Sequence, residues 1–240
     1  MKCNFLKTAL VSLFLTMSCI PNIANAGLII GAIDGSTGDL LNAANSIESG
    51  SSVNIISTTF LDTQTSEDLF SNYDALLFNW AGSTISSGFW SDTLLGYISL
   101  GGGVIFDGAQ SGTSALNGSG INFFGSSTYS SGNQTISDNT FTALTNVNGA
   151  NHHLGGLSGD SNWNVFLTSG TTTLGMYANF GLGNIIVTST DFNYHGGNLP
   201  FITDELAYVT SPRTAEVPEP STLAIFALGM IGLASRRFKK

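Results

Sequence analysis

Base is scarce in this sequence. Seven lysines and arginines stand against sixteen acids in 240 residues, and Lys2, Lys7, Arg236, Arg237, Lys239 and Lys240 all lie near the two ends. Residues 27–217 hold one arginine, Arg213, no lysine and fifteen acids, a formal charge of −14 once Glu219 is set aside. A surface so charged repels nucleic acid and anionic lipid headgroups. Cysteine is confined to Cys3 and Cys19, so the central segment has neither a disulfide framework nor thiol chemistry. Gly31, Gly35 and Gly38 fit neither GxGxxG nor a P-loop, and Gly-Ser-Gly at 118–120 never falls in the GxSxG frame between strand and helix. Dinucleotide, phosphate-cradle and serine-elbow chemistry therefore lack their signatures.

The ends are better marked. Lys2 and Lys7 precede an apolar stretch at 9–20, and Ala24-Asn25-Ala26 supplies small residues for a signal peptidase, which places the cut after Ala26. Cys19 invites a lipoprotein reading, but Thr16 stands where a lipobox usually has leucine. At the other end residues 221–235 carry no charge. As a helix they rise about 22 Å against a hydrocarbon core of about 30 Å, a marginal span that suits a temporary stop. The bases beyond it set the orientation, with the rest of the chain outside.

Val217-Pro218-Glu219-Pro220, the apolar helix and the terminal cluster with Arg236 and Arg237 together resemble the Pro-Glu-Pro carboxy-terminal (PEP-CTERM) sorting signal. The resemblance implies a Gram-negative bacterium making extracellular polysaccharide, and cleavage by a membrane exosortase before release or transfer to the surface. Members share a tail and not a fold, so no activity is implied. The expected organisation is a signal peptide at 1–26, an α/β domain at 27–212, a linker with the Pro-Glu-Pro motif at 213–220, a short membrane-sorting helix at 221–235 and a basic cytoplasmic tail at 236–240.

Within the domain, apolar runs at 28–34, 53–57, 74–80 and 104–107 read as buried strands. Between them lie a helix capped by Asp39 with Leu40, Leu41, Ala44 and Ile47 on one side, a short helix at 66–72 capped by Ser66, and a helix at 89–100 with Trp90, Leu94, Tyr97 and Ile98 inward. Such alternation is the sign of right-handed crossovers and a mostly parallel sheet. From 108 to about 160, Gly, Ser, Asn and Thr predict a decorated insertion at the sheet edge, with short strands near 121–124 and 134–136. Strands at 163–167 and 173–178, a hairpin into 185–191 and a closing helix near 204–209 complete the order. The Tyr73-Asp74-Ala75-Leu76-Leu77-Phe78 strand entry, Gly101-Gly102-Gly103-Val104-Ile105-Phe106-Asp107-Gly108-Ala109 and the late Gly183-Asn184-Ile185-Ile186-Val187-Thr188 strand resemble the class I glutamine amidotransferase-like, flavodoxin-type fold. That resemblance implies a nucleophilic cysteine after the glycine-rich strand. Phe106 stands there, which leaves the amidotransferase mechanism unsupported.

Ligands of open parallel sheets bind beyond the carboxyl ends of the strands. Asp34, Asn79, Asp107 and Asp191 are expected at such ends, with Trp80, Tyr194 and His195 beside them. These residues suit sugar hydroxyls or a hard cation held by oxygen ligands, while Asp and Asn at the same places also cap helices and favour turns. Asp34-Gly35-Ser36-Thr37-Gly38 partly matches the Asp-x-Ser-x-Ser metal-adhesion loop of von Willebrand A-type domains, with Gly38 in place of the third ligand. His152-His153 has no Cys or HExxH context, and adjacent strand residues face opposite ways, so no zinc site is assigned. No cofactor is expected.

The expectation is an exported, non-catalytic protein of the cell surface, extracellular matrix or medium that binds polysaccharide or another envelope component. Its partners are signal peptidase, exosortase and, through the tail before processing, the membrane; nucleic acid is excluded. The rivals are an extracellular hydrolase using strand-end carboxylates and a cation-dependent adhesion module. Intact mass of the secreted protein should place its carboxy-terminus before residue 221 when the sorting protease is present, and Lys240 surviving in both protease-positive and protease-deleted strains would sink the sorting reading.

Overall fold

The computed structural model describes residues 27–33, 39–79, 85–109, 114–116, 119–125, 133–148, 156–190, 192 and 198–211. Strands β1 (Ile29–Ile33), β2 (Ser52–Ile56), β3 (Ala75–Asn79) and β4 (Gly103–Asp107) alternate with helices α1 (Leu40–Ile47), α2 (Thr58–Leu61), α3 (Ser66–Asn72) and α4 (Leu94–Leu100), the last entered through a π-helical turn at Phe89–Thr93. Then come β5 (Ser114–Ala115), β6 (Phe123–Gly125), β7 (Asn133–Ile136), β8 (Asn146–Asn148), β9 (Leu157–Gly159), β10 (Asn164–Ser169), β11 (Thr172–Phe180), β12 (Gly183–Thr188) and α5 (Leu199–Thr210). The main sheet runs β2-β1-β3-β4-β12-β11-β10-β7-β8. It is parallel from β2 to β12 and antiparallel beyond. The parallel part has the flavodoxin-type order 2-1-3-4-5, so the expected α/β class with a late hairpin is what forms.

Both faces of the central strands are covered, which is why β3 and β4 are buried at every position, whereas β2 at the edge is largely exposed. On one face Phe78 stacks on Phe106 at 5.1 Å, and Trp90 from the π-helical turn meets Phe78 at 5.3 Å. Leu94, Tyr97 and Ile98 of α4 join this layer as the helical spacing requires. On the other face Ile30, Ala32, Leu77, Ile105 and Ile186 pack under Leu40, Ala43 and Ala44 of α1 and Phe201, Ile202 and Leu206 of α5. Leu41 and Ile47, expected on the inward side of α1, are instead exposed; Ala43 takes their place, because the buried stripe is only as wide as two small alanines and one leucine.

The caps also differ from expectation. Asp39 precedes α1 in a helical backbone conformation and makes no side-chain cap hydrogen bond. Thr65, not Ser66, caps α3: its hydroxyl accepts from the Asp68 N–H at 3.1 Å, and Asp68 accepts in return from the Thr65 N–H at 3.2 Å. Ser66 is the first helical residue, and its hydroxyl donates to the Thr93 carbonyl at 2.9 Å. At the far end of α4, Gly101 adopts φ 118°, the left-handed turn that stops the helix.

The insertion divides in two. β7 and β8 extend the main sheet at its edge, as expected, whereas β5, β6 and β9 form a separate three-stranded sheet. This small sheet is held on the aromatic face by Phe123, which meets Phe106 at 4.9 Å and Trp163 at 5.9 Å. The hairpin strands β11 and β12 run further than their apolar cores suggest, through Asn179 and Asn184, leaving only Gly181 and Leu182 in the turn. Among the described residues no helix is long and apolar enough to cross a membrane. Thr65→Ala should lower stability by about 1 kcal/mol, read as an earlier urea midpoint at unchanged slope.

Candidate functional site

Side chains alternate along a strand, so Ala75, Leu77 and Asn79 of β3, Ile105 and Asp107 of β4, and Ile186 and Thr188 of β12 all face α5. The last member of each series is polar. Asn79 and Asp107 are direct cross-strand partners, and the β4–β12 register places Thr188 next in the row. The carboxyl edge of the sheet therefore ends, on this face, in a line of polar side chains under the start of α5.

Asp107 is enclosed, 1% exposed, and its Oδ1 accepts from the Phe192 N–H at 2.9 Å. The Thr188 hydroxyl lies 3.2 Å from the same oxygen and 2.9 Å from the Thr190 carbonyl. Gln134 extends the chain of contacts from β7, its Nε2 donating to Thr190 Oγ1 at 2.8 Å. Asp107 thus ties the segment after β12 back onto β4, which directs Phe192 against Phe201 at 4.8 Å and sets α5 on the sheet. Asn79 is equally buried, yet both its amide oxygen and its amide nitrogen find no hydrogen-bond partner among the described residues. Each such buried polar atom costs about 1–3 kcal/mol.

Glu205 enters the same region from α5. It is fully buried, and neither carboxyl oxygen has a hydrogen-bond partner among the described residues. Burial pushes its carboxyl well above the usual value of 4.5, and the neighbouring Asp107 and Asp204 charges push it the same way. It therefore keeps its proton to higher pH than an exposed glutamate does. Asp138 is opposite in sense: hydrogen bonds from Thr140 and Tyr177, at 2.6 and 2.7 Å, hold its carboxyl below the usual 3.8.

Of the strand-end residues expected from sequence, Asn79 and Asp107 are brought side by side. Asp34, Trp80, Asp191, Tyr194 and His195 lie outside the described residues, as do His152-His153, the 34–38 loop, Ala24 and Ala26 at the leader cut and the sorting residues Val217, Pro218, Glu219, Pro220, Arg236 and Arg237. Gln134, Thr188, Thr190 and Glu205 were not anticipated. Glu205 had a signal: it is four residues from both Phe201 and Val209, on the buried stripe of α5, but a helix expected only at 204–209 omits Phe201. Gln134 had none, since its neighbour comes from 56 residues away. Among the described residues no three His, Cys, Asp or Glu side chains group to hold a metal.

What the residues define is an α/β domain with an enclosed polar row at the carboxyl edge of its sheet. Residues 216–240 match the PEP-CTERM protein-sorting motif. That motif marks an exported, membrane-transiting protein of Gram-negative bacteria that an exosortase processes. No curated protein matches the chain significantly. Solved structures similar in shape include cytoplasmic protein STM3548 from Salmonella typhimurium, 11% identical, with 76% of this chain and 98% of that one covered at a TM-score of 0.48. Cytoplasmic protein STM1381 from Salmonella typhimurium LT2 is 14% identical over 72% and 92% of the two chains, TM-score 0.48. A glutamine amidotransferase from Thermotoga maritima is 11% identical over 70% and 77%, TM-score 0.46. At these scores the strand order itself carries the fold.

Glu205 sets a pH dependence. Its folded pKa is above its unfolded value, so the native state holds the extra proton and stability falls as pH rises from about 4.5 toward the folded value, by up to about 1.4 kcal/mol per pH unit. Asp138 acts in the other window, its contribution present above about 3.8 and lost as pH falls below that. Denaturant titrations of Glu205→Gln should show a flatter loss of stability above pH 5 than the parent; an unchanged slope would mean that Glu205 is not the group.

Proposed function

We propose that the mature protein is a non-catalytic binding module of the cell surface or extracellular matrix, delivered by a cleaved leader and a removable sorting tail. The tail at 216–240 supports the address. Asn79 carries the binding part of the reading. Its free donor and acceptor lie at the end of β3, beside β1, where the strand order reverses and where ligands of such sheets bind. A hydroxyl-bearing sugar matches an amide that offers both a donor and an acceptor. Asp34, Trp80, Asp191, Tyr194 and His195 are proposed to complete this crevice, with extracellular polysaccharide as the ligand class.

The hydrogen bonds of Asp107, rather than its depth, weigh against the hydrolase alternative. Its Oδ1 accepts from the Phe192 N–H and the Thr188 hydroxyl, contacts that hold the fold, whereas Asn79 at the same depth keeps its amide donor and acceptor unspent. Glu205 is enclosed beside the same row. Both carboxyls act on the fold. The surface charge supports the location: an acidic, base-poor domain stays soluble among hydrated polymers and away from anionic headgroups.

Co-sedimentation of the secreted protein with the producer's own polysaccharide should show binding that Asn79→Ala weakens at least about tenfold, the loss expected for hydrogen bonds worth about 1.4 kcal/mol. Release of soluble saccharide by the parent protein, abolished in a folded Asp107→Asn variant, would instead establish the hydrolase.

A further inference from the structure

Three large apolar side chains gather at the opposite, amino edge of the sheet. Phe70 near the end of α3, Leu100 at the end of α4 and Leu182 in the β11–β12 turn are 45%, 39% and 43% exposed. They surround Gly101: a methyl group placed there would lie 3.5 Å from Phe70 Cε2 and 3.7 Å from Leu182 Cβ. The Leu182 N–H donates to the Ser99 carbonyl at 3.1 Å, which fixes the turn against the end of α4. Single exposed apolar residues such as Ile55 need no explanation, but a fixed cluster of three does.

The patch sits where the chain leaves the domain. Asn184, two residues after Leu182, donates to the Tyr208 carbonyl at 2.8 Å and to the Ser211 hydroxyl at 3.3 Å, so the end of α5 is pinned to the same edge. Only nine residues, 212–220, separate Ser211 from the apolar run at 221–235. Fully extended they reach about 30 Å. A compact domain of the 185 residues at 27–211 is about 40 Å across. While the run is held in the bilayer, the tether is too short for the domain to turn over. The amino edge cannot point directly away from the lipid.

Acids are absent from the segments that carry Leu100 and Leu182 and from the end of α5: residues 95–106, 180–185 and 206–211 contain none. Glu48 and Asp74 are the acids of this edge, and the Asp74 Oδ2 accepts from the Ile29 N–H at 2.7 Å. Glu67 and Asp68 lie in the first turn of α3, one turn before Phe70.

We propose that, until the tail is cut, Phe70, Leu100 and Leu182 dock on the membrane interface and hold the carboxyl edge, with Asn79 and Asp107, away from it. The inference rests on the tail reading above. Docking in this orientation presents the candidate crevice outward and keeps the linker, with its cleavage motif, at the membrane surface where a membrane protease works. Cutting the tail removes the tether, and three apolar side chains alone are too weak a hold to retain an acidic domain.

The test uses the full chain from a host lacking exosortase, with Cys3 and Cys19 changed to Ser, in phosphatidylcholine vesicles. A fluorophore is attached through Leu182→Cys or, at the far edge, Ser87→Cys, and lipid-borne quencher is added. The Leu182→Cys label should lose most of its emission and the Ser87→Cys label almost none. A third label, Asn72→Cys, should be quenched in the parent and spared when Phe70, Leu100 and Leu182 are all changed to Ser; should that variant not fold, the first comparison alone decides. Equal quenching of the first two labels, or quenching of neither in protein that floats with the vesicles, overturns the docking. So does an apolar environment at Leu182→Cys without quenching, which means the tail folds back over the patch. Failure to float at all overturns the membrane-held tail itself.

Discussion

β12 is the strand on which the two halves of the main sheet meet. It pairs in parallel with β4 through Ile185, Ile186 and Val187, and antiparallel with β11 from Gly175–Thr188 to Phe180–Gly183. Parallel pairing across so long a connection has to be held by more than ladder hydrogen bonds, because the loop between β4 and β12 costs entropy and is rewarded only when both faces are covered. Ile185 and Val187 join the aromatic face, and Ile186 lies under α5. The position of α5, the polar row and the exit of the chain all follow from that one placement.

The polar row shows what such a junction demands. Asp107 takes a buried backbone N–H that has left the ladder, at the point where β12 ends and the chain turns toward α5. A carboxylate suits this because its hydrogen bonds to backbone N–H groups are stronger than those of a neutral acceptor. Burial first, and then this same charge, raise the cost of ionising Glu205. Asn79 is not explained by this internal task. A neutral amide in its place without partners is a local loss of stability, and such losses persist at positions kept for something other than the fold.

The two edges of the sheet thus have separate characters. The carboxyl edge ends in Asn79, Asp107 and Thr188, while the amino edge carries Phe70, Leu100 and Leu182 beside the exit to the sorting tail. α5 crosses from one to the other, with Glu205 near the first and Asn184 gripping its end at the second. A parallel sheet gives this polarity without further design, since all its strands end together and the last helix returns to where they begin.

Much of this could be read from the residues alone. Continuous apolar runs required strands, their alternation with helices required a mostly parallel sheet, and the tail marked the chain for export and exosortase processing. These are local or compositional properties, and each is written in neighbouring residues. Contacts between distant residues are not. Thr65 displaced Ser66 as the cap because Ser66 had a partner at Thr93. Phe123 placed the small sheet on a face rather than at the edge because Phe106 was there to meet it. Glu205, Gln134 and Thr188 became neighbours of Asp107 only when β12 lay beside β4. The sequence by itself determined which segments are strands and helices and that the protein is exported, because periodicity and signals act over a few residues. Only the tertiary structure decided which polar groups are buried together, because that depends on which strands become neighbours.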